Sequence, residues 1–278
     1  MFRNLSPGAI GIQLPFAEAL DLARRTGWEG MDLPSTEALQ LADQRGIAAV
    51  SELYAQSGLR AGGWGLPLNW REPYEQAALQ LLERQAALAQ KLECTRCYTW
   101  LLPFSDQRPF RENFAFHVQQ IKPIAEVLAA HGCSLGLEFI GPRTMRAEHR
   151  YGFIYTIEGM LSLAAAIGSN VGLLVDAWHW HTGLGTLADL RSMRLEDVIY
   201  VHINDAPAET AIDQLIDNKR ALPGVSGVID LKGFLAVLAE LGYSGPVTPE
   251  PFDSSLATLS PEEASTRTLM ALNRVMGS

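Results

Sequence analysis

The 278-residue chain carries 22 Lys and Arg against 31 Asp and Glu, a formal net charge of -9, with 47% hydrophobic and 19% charged residues. That composition can bury a sizeable core and excludes a disordered or collagen-like chain, while the acidic balance argues against broad adhesion to nucleic acid or anionic membranes. No run approaches the ~20 apolar residues of a membrane span, Met1–Leu20 lacks the parts of a signal peptide, and three cysteines (Cys94, Cys97, Cys133) make no disulfide framework.

These features predict a cytoplasmic protein that acts on a small molecule, with no nucleic-acid or membrane partner and with a homo-oligomer left open. Short apolar or β-branched runs recur along the chain and predict strands at Gly8–Ile12, Glu29–Pro34, Leu59–Leu66, Cys94–Leu101, Ser134–Gly141, Val171–Ala177, Val198–Asn204 and Pro246–Phe252. Between them, Phe16–Thr26, Thr36–Gln56, Pro73–Leu92, Glu112–Ala130, Ile157–Ile167, Leu187–Leu195 and Leu231–Leu241 repeat apolar residues every three or four positions, as helices do. Gly27, Gly58, Gly132, Gly168 and Gly242 follow these patterns, where a left-handed helix stop needs a residue without Cβ.

Alternating strands and helices pair in parallel through right-handed crossovers, and eight repeats in a chain of this size favour closure into a (β/α)8 TIM barrel. An open doubly wound sheet usually carries a glycine-rich phosphate loop, and neither G-x-G-x-x-G nor G-x-x-x-x-G-K-[ST] occurs. No linker or low-complexity tract divides the chain, so residues 1–278 read as one barrel domain.

Side chains alternate between the interior and the helix-facing side of a barrel strand. With Leu135, Leu137 and Phe139 facing outward, Glu138 faces in; with Val171, Leu173 and Val175 outward, Asp176 does the same. Ile199, Val201 and Ile203 leave His202 inside, and the inner set of Pro246–Glu250 ends on Glu250. Four successive strands thus deliver Glu, Asp, His and Glu to the C-terminal mouth, where barrel enzymes place their chemistry. Polar strand ends can be unrelated to one another, but four in phase make a site. Clustered carboxylates repel and are costly to bury alone, so one divalent cation is the simplest partner, and this donor set suits Mn, Co, Mg or Zn.

Together with Asp176-Ala177-Trp178-His179, Arg220-Ala221-Leu222-Pro223-Gly224, Gly27-Trp28-Glu29-Gly30 and Pro249-Glu250-Pro251-Phe252, these residues carry a family likeness. The chain resembles, over its whole length, the xylose-isomerase-like barrels that act as sugar phosphate isomerases and epimerases, especially the inosose isomerases and ketose 3-epimerases. The resemblance implies that Glu138, Asp176, His202 and Glu250 ligate a divalent metal, that Glu138 and Glu250 form the catalytic pair, and that His179 and Arg220 contact substrate. Two departures stand out: Pro223-Gly224-Val225-Ser226-Gly227 has one residue more than the family's Pro-Gly-x-Gly, and the stretch from Asn204 to Arg220 is longer than in the ketose epimerases.

A metal that binds adjacent carbonyl and hydroxyl oxygens makes the neighbouring C–H acidic, and two carboxylates could remove its proton and return it with inversion. Moving the proton between C1 and C2 would interconvert aldose and ketose; protonating a departing hydroxyl would make the chain an inosose dehydratase-type lyase. Trp64 and Trp100, with Tyr98, Trp178 and Phe104, could wall a sugar ring or simply fill the core. Arg143, Arg146, His149 and Arg150 could meet a phosphate or form a solvated face. Cys94 and Cys97 lie on opposite sides of their strand, so no zinc ribbon is expected. Six histidines and the net charge speak against a multi-zinc apurinic endonuclease, and the four ligands speak against a non-catalytic sugar-sensing barrel.

Overall fold

Eight strand positions form a closed ring of parallel pairs in a computed structural model, which describes residues 1–277. They are β1 (Phe2–Leu5), β2 (Gly30–Met31), β3 (Arg60–Ala61 and Trp64–Gly65), β4 (Arg96–Leu101), β5 (Ser134–Phe139), β6 (Val171–Asp176), β7 (Val198–Ile203) and β8 (Pro246–Pro249). Each pairs with its sequence neighbour, and β1 closes the ring on β8 through Phe2 opposite Pro246. The third strand is broken: its first half pairs with β2 and its second with β4. This is the expected α/β barrel.

Helices α1 (Phe16–Thr26), α2 (Ser35–Arg45), α3 (Ile47–Ser57), α4 (Gln76–Lys91), α5 (Phe110–Ala130), α6 (Ile157–Ile167), α7 (Leu187–Arg191), α8 (Leu231–Glu240) and α9 (Pro261–Met276) surround the ring. The α1 sequence shows why: Phe16, Ala19, Leu20, Leu22 and Ala23 make one buried stripe, Arg24 and Arg25 occupy the last turn, and Gly27 closes the helix at φ 92°. The core lies between these helices and the outward strand residues, with Leu137, Leu173, Val175, Val201, Ile203 and Val247 fully buried there. Among the described residues, no helix is long and apolar enough to cross a membrane. Cys94, Cys97 and Cys133 are free thiols in the interior.

Four elements differ from expectation. The first strand is Phe2–Leu5; the predicted Gly8–Ile12 run overlaps a 3-10 turn, Pro7–Ile10, that Pro7 starts and Gly11 ends at φ 76°. Thr36–Gln56 is two helices rather than one, because Gly46 takes φ 82° between them. Gly168 stops α6 at φ 177°, which is extended backbone and needs no glycine. The closing helix α9 was not expected, although Ser260 and Glu263 form a reciprocal capping box with Pro261 in the first turn.

Inside the barrel, Asn4, Tyr200 and Thr248 are fully buried, and Asp32 is 7% exposed. Gly62 and Gly63, at the break in β3, leave room for them. A Cβ on Gly62 would stand 2.1 Å from Asn4 Oδ1, and one on Gly63 2.5 Å from the Tyr200 ring. Gly62→Ala is therefore expected to lower stability in urea unfolding by about 1–3 kcal/mol, since Asn4 must shift in a close-packed interior. Gly8→Ala, where a Cβ meets nothing within 4 Å, should leave the midpoint unchanged.

Candidate functional site

The ends of β5, β6, β7 and β8 bring Glu138, Asp176, His202 and Glu250 together, with one donor atom from each residue within 4.8 Å of all the others. Register explains the convergence. Asp176 is opposite His202, which is opposite Thr248, so all three side chains share the inner face, and Glu250 follows Thr248 by one alternation. The Glu250 amide still donates to the Ile203 carbonyl at 3.1 Å, which keeps its backbone on the sheet. Glu138, Asp176 and His202 are 6%, 0% and 4% exposed.

Polar contacts orient each group. Asp176 Oδ1 accepts from the Trp178 amide at 2.8 Å and from Asn204 Nδ2 at 3.0 Å, while Arg220 Nη1 donates to its Oδ2 at 2.8 Å. The same Nη1 donates to Glu250 Oε2 at 3.0 Å. His202 Nδ1 lies 3.4 Å from both Glu138 Oε1 and Glu250 Oε2. Asn204, two residues beyond His202 on the same inner face, was missed in the sequence although the alternation marks it.

Arg220 directs four of its five N–H donors to protein oxygens. Its Nε donates to the Asp217 carbonyl at 2.8 Å, Nη2 to Asp217 Oδ1 at 2.9 Å, and Nη1 to the two site carboxylates. The long stretch from Asn204 folds back so that Asp205 and Ala221 exchange two backbone hydrogen bonds of 2.8 Å, which places Arg220 at the mouth. His179 sits behind it at 1% exposure: Nδ1 accepts from the Gly141 amide at 3.1 Å and Nε2 lies 3.2 Å from Arg220 Nη2. Arg220 thus contacts two carboxylates of the cluster, and His179 lies beside it.

The two tryptophans separate. Trp100 is opposite Glu138 in the ladder, hence on the inner face, and 44% exposed at the mouth. Trp64 is opposite Cys97, on the helix-facing side; it is fully buried and donates its ring N–H to the Cys94 carbonyl at 3.0 Å. It cannot line a substrate. The loop cations are also engaged: Arg146 donates to the Gly141 carbonyl and covers the Tyr155 ring, while His149 pairs with Asp106 at 2.9 Å.

A polar layer that the sequence reading did not assemble lies beside the cluster. Asp32 Oδ1 accepts from Asn4 Nδ2 at 2.8 Å and Tyr200 Oη at 2.7 Å, and Oδ2 accepts from Tyr98 Oη at 2.9 Å. The Tyr98 ring is 5.8 Å from the His202 ring, edge to face. Burial raises the Asp32 pKa against the opposing pull of these donors.

The electrostatics split the two glutamates. Burial pushes the Glu138 carboxyl up to about 8, against its His202 contact. Burial also opposes ionisation of Glu250, but His202 and Arg220 outweigh it and hold that carboxyl down to about 2. The asymmetry follows from geometry, because the guanidinium touches Glu250 and not Glu138. For His202, desolvation is overcome by the two carboxylates and its pKa rises well above 6.5. With His202 neutral, as a metal ligand must be, Asp176 and Glu250 face a single guanidinium, which leaves room for more positive charge. Three hard oxygen donors and one imidazole within 4.8 Å fit a divalent ion.

A family model described as a xylose isomerase-like TIM barrel matches residues 8–274. An inosose isomerase of Halalkalibacterium halodurans is 30% identical over 148 residues, 53% of this chain and 49% of that protein. The aligned part thus spans about half the length of the curated relatives it matches. A xylose isomerase domain protein from Alicyclobacillus acidocaldarius is 32% identical at a TM-score of 0.89, covering 99% of this chain and 98% of that one. The IolI protein with a binding zinc atom superposes at a TM-score of 0.79 over 99% of this chain and 98% of that one; at 18% identity this likeness speaks for the fold alone.

Metal titration by calorimetry in buffers of different ionisation enthalpy should show about one proton released per Mn at pH 7, as His202 gives up its proton to become a ligand. Metal affinity should rise from pH 6 to pH 9 as that competition fades. His202→Ala should weaken Mn binding by at least about tenfold; unchanged affinity would remove His202 from the site.

Proposed function

The chain belongs to the xylose isomerase-like TIM barrel family, and from that premise we propose that it is a divalent-metal-dependent isomerase or epimerase of a ketose or inosose-type cyclic ketone. The observation that supports this most is the asymmetry of one buried cluster of donors, in which Arg220 touches Glu250 and leaves Glu138 to His202, so that Glu138 is driven towards neutrality and Glu250 is held ionised. Environments that push two carboxyl groups apart in this way assign an acid and a base.

Glu138, Asp176, His202 and Glu250 would hold one Mn, Co, Mg or Zn ion. When bound, the ion supplies Lewis-acid polarisation of a carbonyl and its neighbouring hydroxyl, which acidifies the intervening C–H. A carboxylate has two oxygens, so each glutamate can serve as ligand through one and exchange a proton through the other. Glu250 takes the proton from the carbon next to the carbonyl; the C–H electron pair becomes a C=C bond and the carbonyl oxygen takes the charge. Glu138, on another strand, delivers a proton to the same carbon from the other face for epimerisation. Delivery to the neighbouring carbon gives isomerisation. Arg220, fastened by Asp217 and backed by His179, keeps Glu250 ionised between turnovers. Trp100 at the mouth offers a face to the C–H side of a ring.

Turnover of ketoses and inososes in deuterated solvent should place deuterium at the reacting carbon, with no nicotinamide or nucleotide required. Chelation should abolish the activity and Mn should restore it. Glu250→Gln and Glu138→Gln should each lower turnover by at least about two orders of magnitude at matched metal occupancy, as general-base contributions of 10²–10⁴ predict. A metal-loaded Glu250→Gln with near wild-type turnover removes Glu250 from the pair, and loss of water without deuterium exchange in recovered substrate or isomer moves the assignment to the dehydratase-type lyase.

A further inference from the structure

A cavity of about 680 Å³ opens at the mouth beside β1, β2 and β4, on the side of the barrel away from the strands that carry most of the cluster. Ser6, Gln13, Asp32, Glu37 and Tyr98 supply its polar lining, and none of the residues around it is Lys, Arg or His. Tyr98 joins the two regions, because it lines the cavity while its ring meets the edge of His202 at 5.8 Å. None of the four cluster residues lines the cavity itself, so Tyr98 is the wall that the two regions share.

Asp32 is built to receive hydroxyl donors there. A carboxylate offers roughly four acceptor positions. Three are filled, by Asn4 and Tyr200 on Oδ1 and by Tyr98 on Oδ2, and those three bonds fix the group in the barrel. One position on Oδ2 remains for a donor arriving through the cavity. The cavity lining holds no cation to balance an anionic substrate end, and the nearby cations are turned elsewhere: Arg220 to Asp176, Glu250 and Asp217, Arg146 to Gly141, His149 to Asp106 and Arg71 over the Trp100 ring.

We propose that Asp32, oriented by Tyr98, Tyr200 and Asn4, forms a second binding subsite that accepts the distal hydroxyl of an uncharged, non-phosphorylated polyol ketone and rejects its phosphorylated counterpart. This rests on the isomerase reading above and specifies its substrate class. Like charge across a desolvated contact repels strongly, and a site built around a hydroxyl donor penalises a ligand that offers only acceptors. Asp32 touches substrate in this account and sets specificity; proton transfer stays with Glu138 and Glu250.

Calorimetry with myo-inositol and myo-inositol 1-phosphate on the Mn-loaded protein tests it without turnover. Wild type should bind the free polyol at least about tenfold more tightly than the phosphate ester. Asp32→Asn should weaken myo-inositol binding by at least about fivefold and narrow that preference, while Mn affinity stays within about threefold of wild type. Tyr98→Phe, which removes one donor to Asp32 but no charge, covers the case in which Asp32→Asn does not fold: it should weaken myo-inositol with the preference against phosphate retained. Equal or tighter binding of the ester to wild type overturns the subsite while leaving the isomerase reading intact, and so does an Asp32→Asn protein with unchanged affinity and preference. If wild type binds Mn but neither polyol, the subsite falls, while the isomerase reading stands or falls separately on deuterium exchange with the ketoses and inososes.

Discussion

Three carboxylates closed off from water at the mouth of a barrel repel one another, and everything around them answers that constraint. Glu138, Asp176 and Glu250 crowd within 4.8 Å of one another's donor atoms, and the fold supplies Arg220 and His202 as partial compensation. The compensation is uneven. Arg220 reaches Asp176 and Glu250 but leaves Glu138 to His202 alone, so one glutamate stays ionised and the other resists ionisation. That imbalance is both the place for a divalent ion and the origin of two distinct proton-transfer roles.

The barrel can hold such a cluster because its strands fix it at both ends. Register ties Asp176, His202 and Thr248 across three strands, and the paired Asp205 and Ala221 backbones pin the segment that carries Arg220. Asp205 in turn accepts from the amides of Ser226, Gly227 and Ile229, which ties the loop with the extra residue to the same anchor. Below the cluster, Asn4, Tyr200 and Thr248 form a hydrogen-bonded layer around Asp32, which the small residues Gly62 and Gly63 make room for. Rigid support beneath and a cavity to one side suit a site that must hold a polar substrate against fixed charges.

The six-residue strands were the legible part of the site. In β5, β6 and β7 the alternation is long enough to set the phase, so the inward direction of Glu138, Asp176 and His202 could be read from residue order alone. The short strands could not be phased. β2 keeps only two residues and β3 is split by Gly62 and Gly63, so Asp32 is not marked by alternation and Trp64 could not be decided between a sugar-ring wall and the core. β1 was displaced because its four residues include Arg3 and Asn4, whereas the apolar run after it contains the Pro7 and Gly11 turn. Arg220 lies on no strand. Only its family motif pointed to it, and its duty towards Asp176 and Glu250 follows from a loop path that no periodicity encodes.

The central claim is that this buried cluster is completed by one divalent cation. Diffraction data collected at the manganese absorption edge from crystals grown with Mn test it most directly. The account predicts one anomalous peak per chain within about 2.5 Å of oxygens from Glu138, Asp176 and Glu250 and of a ring nitrogen of His202. A peak elsewhere, or full occupancy of the carboxylates by Arg220 with no anomalous signal among them, would contradict it.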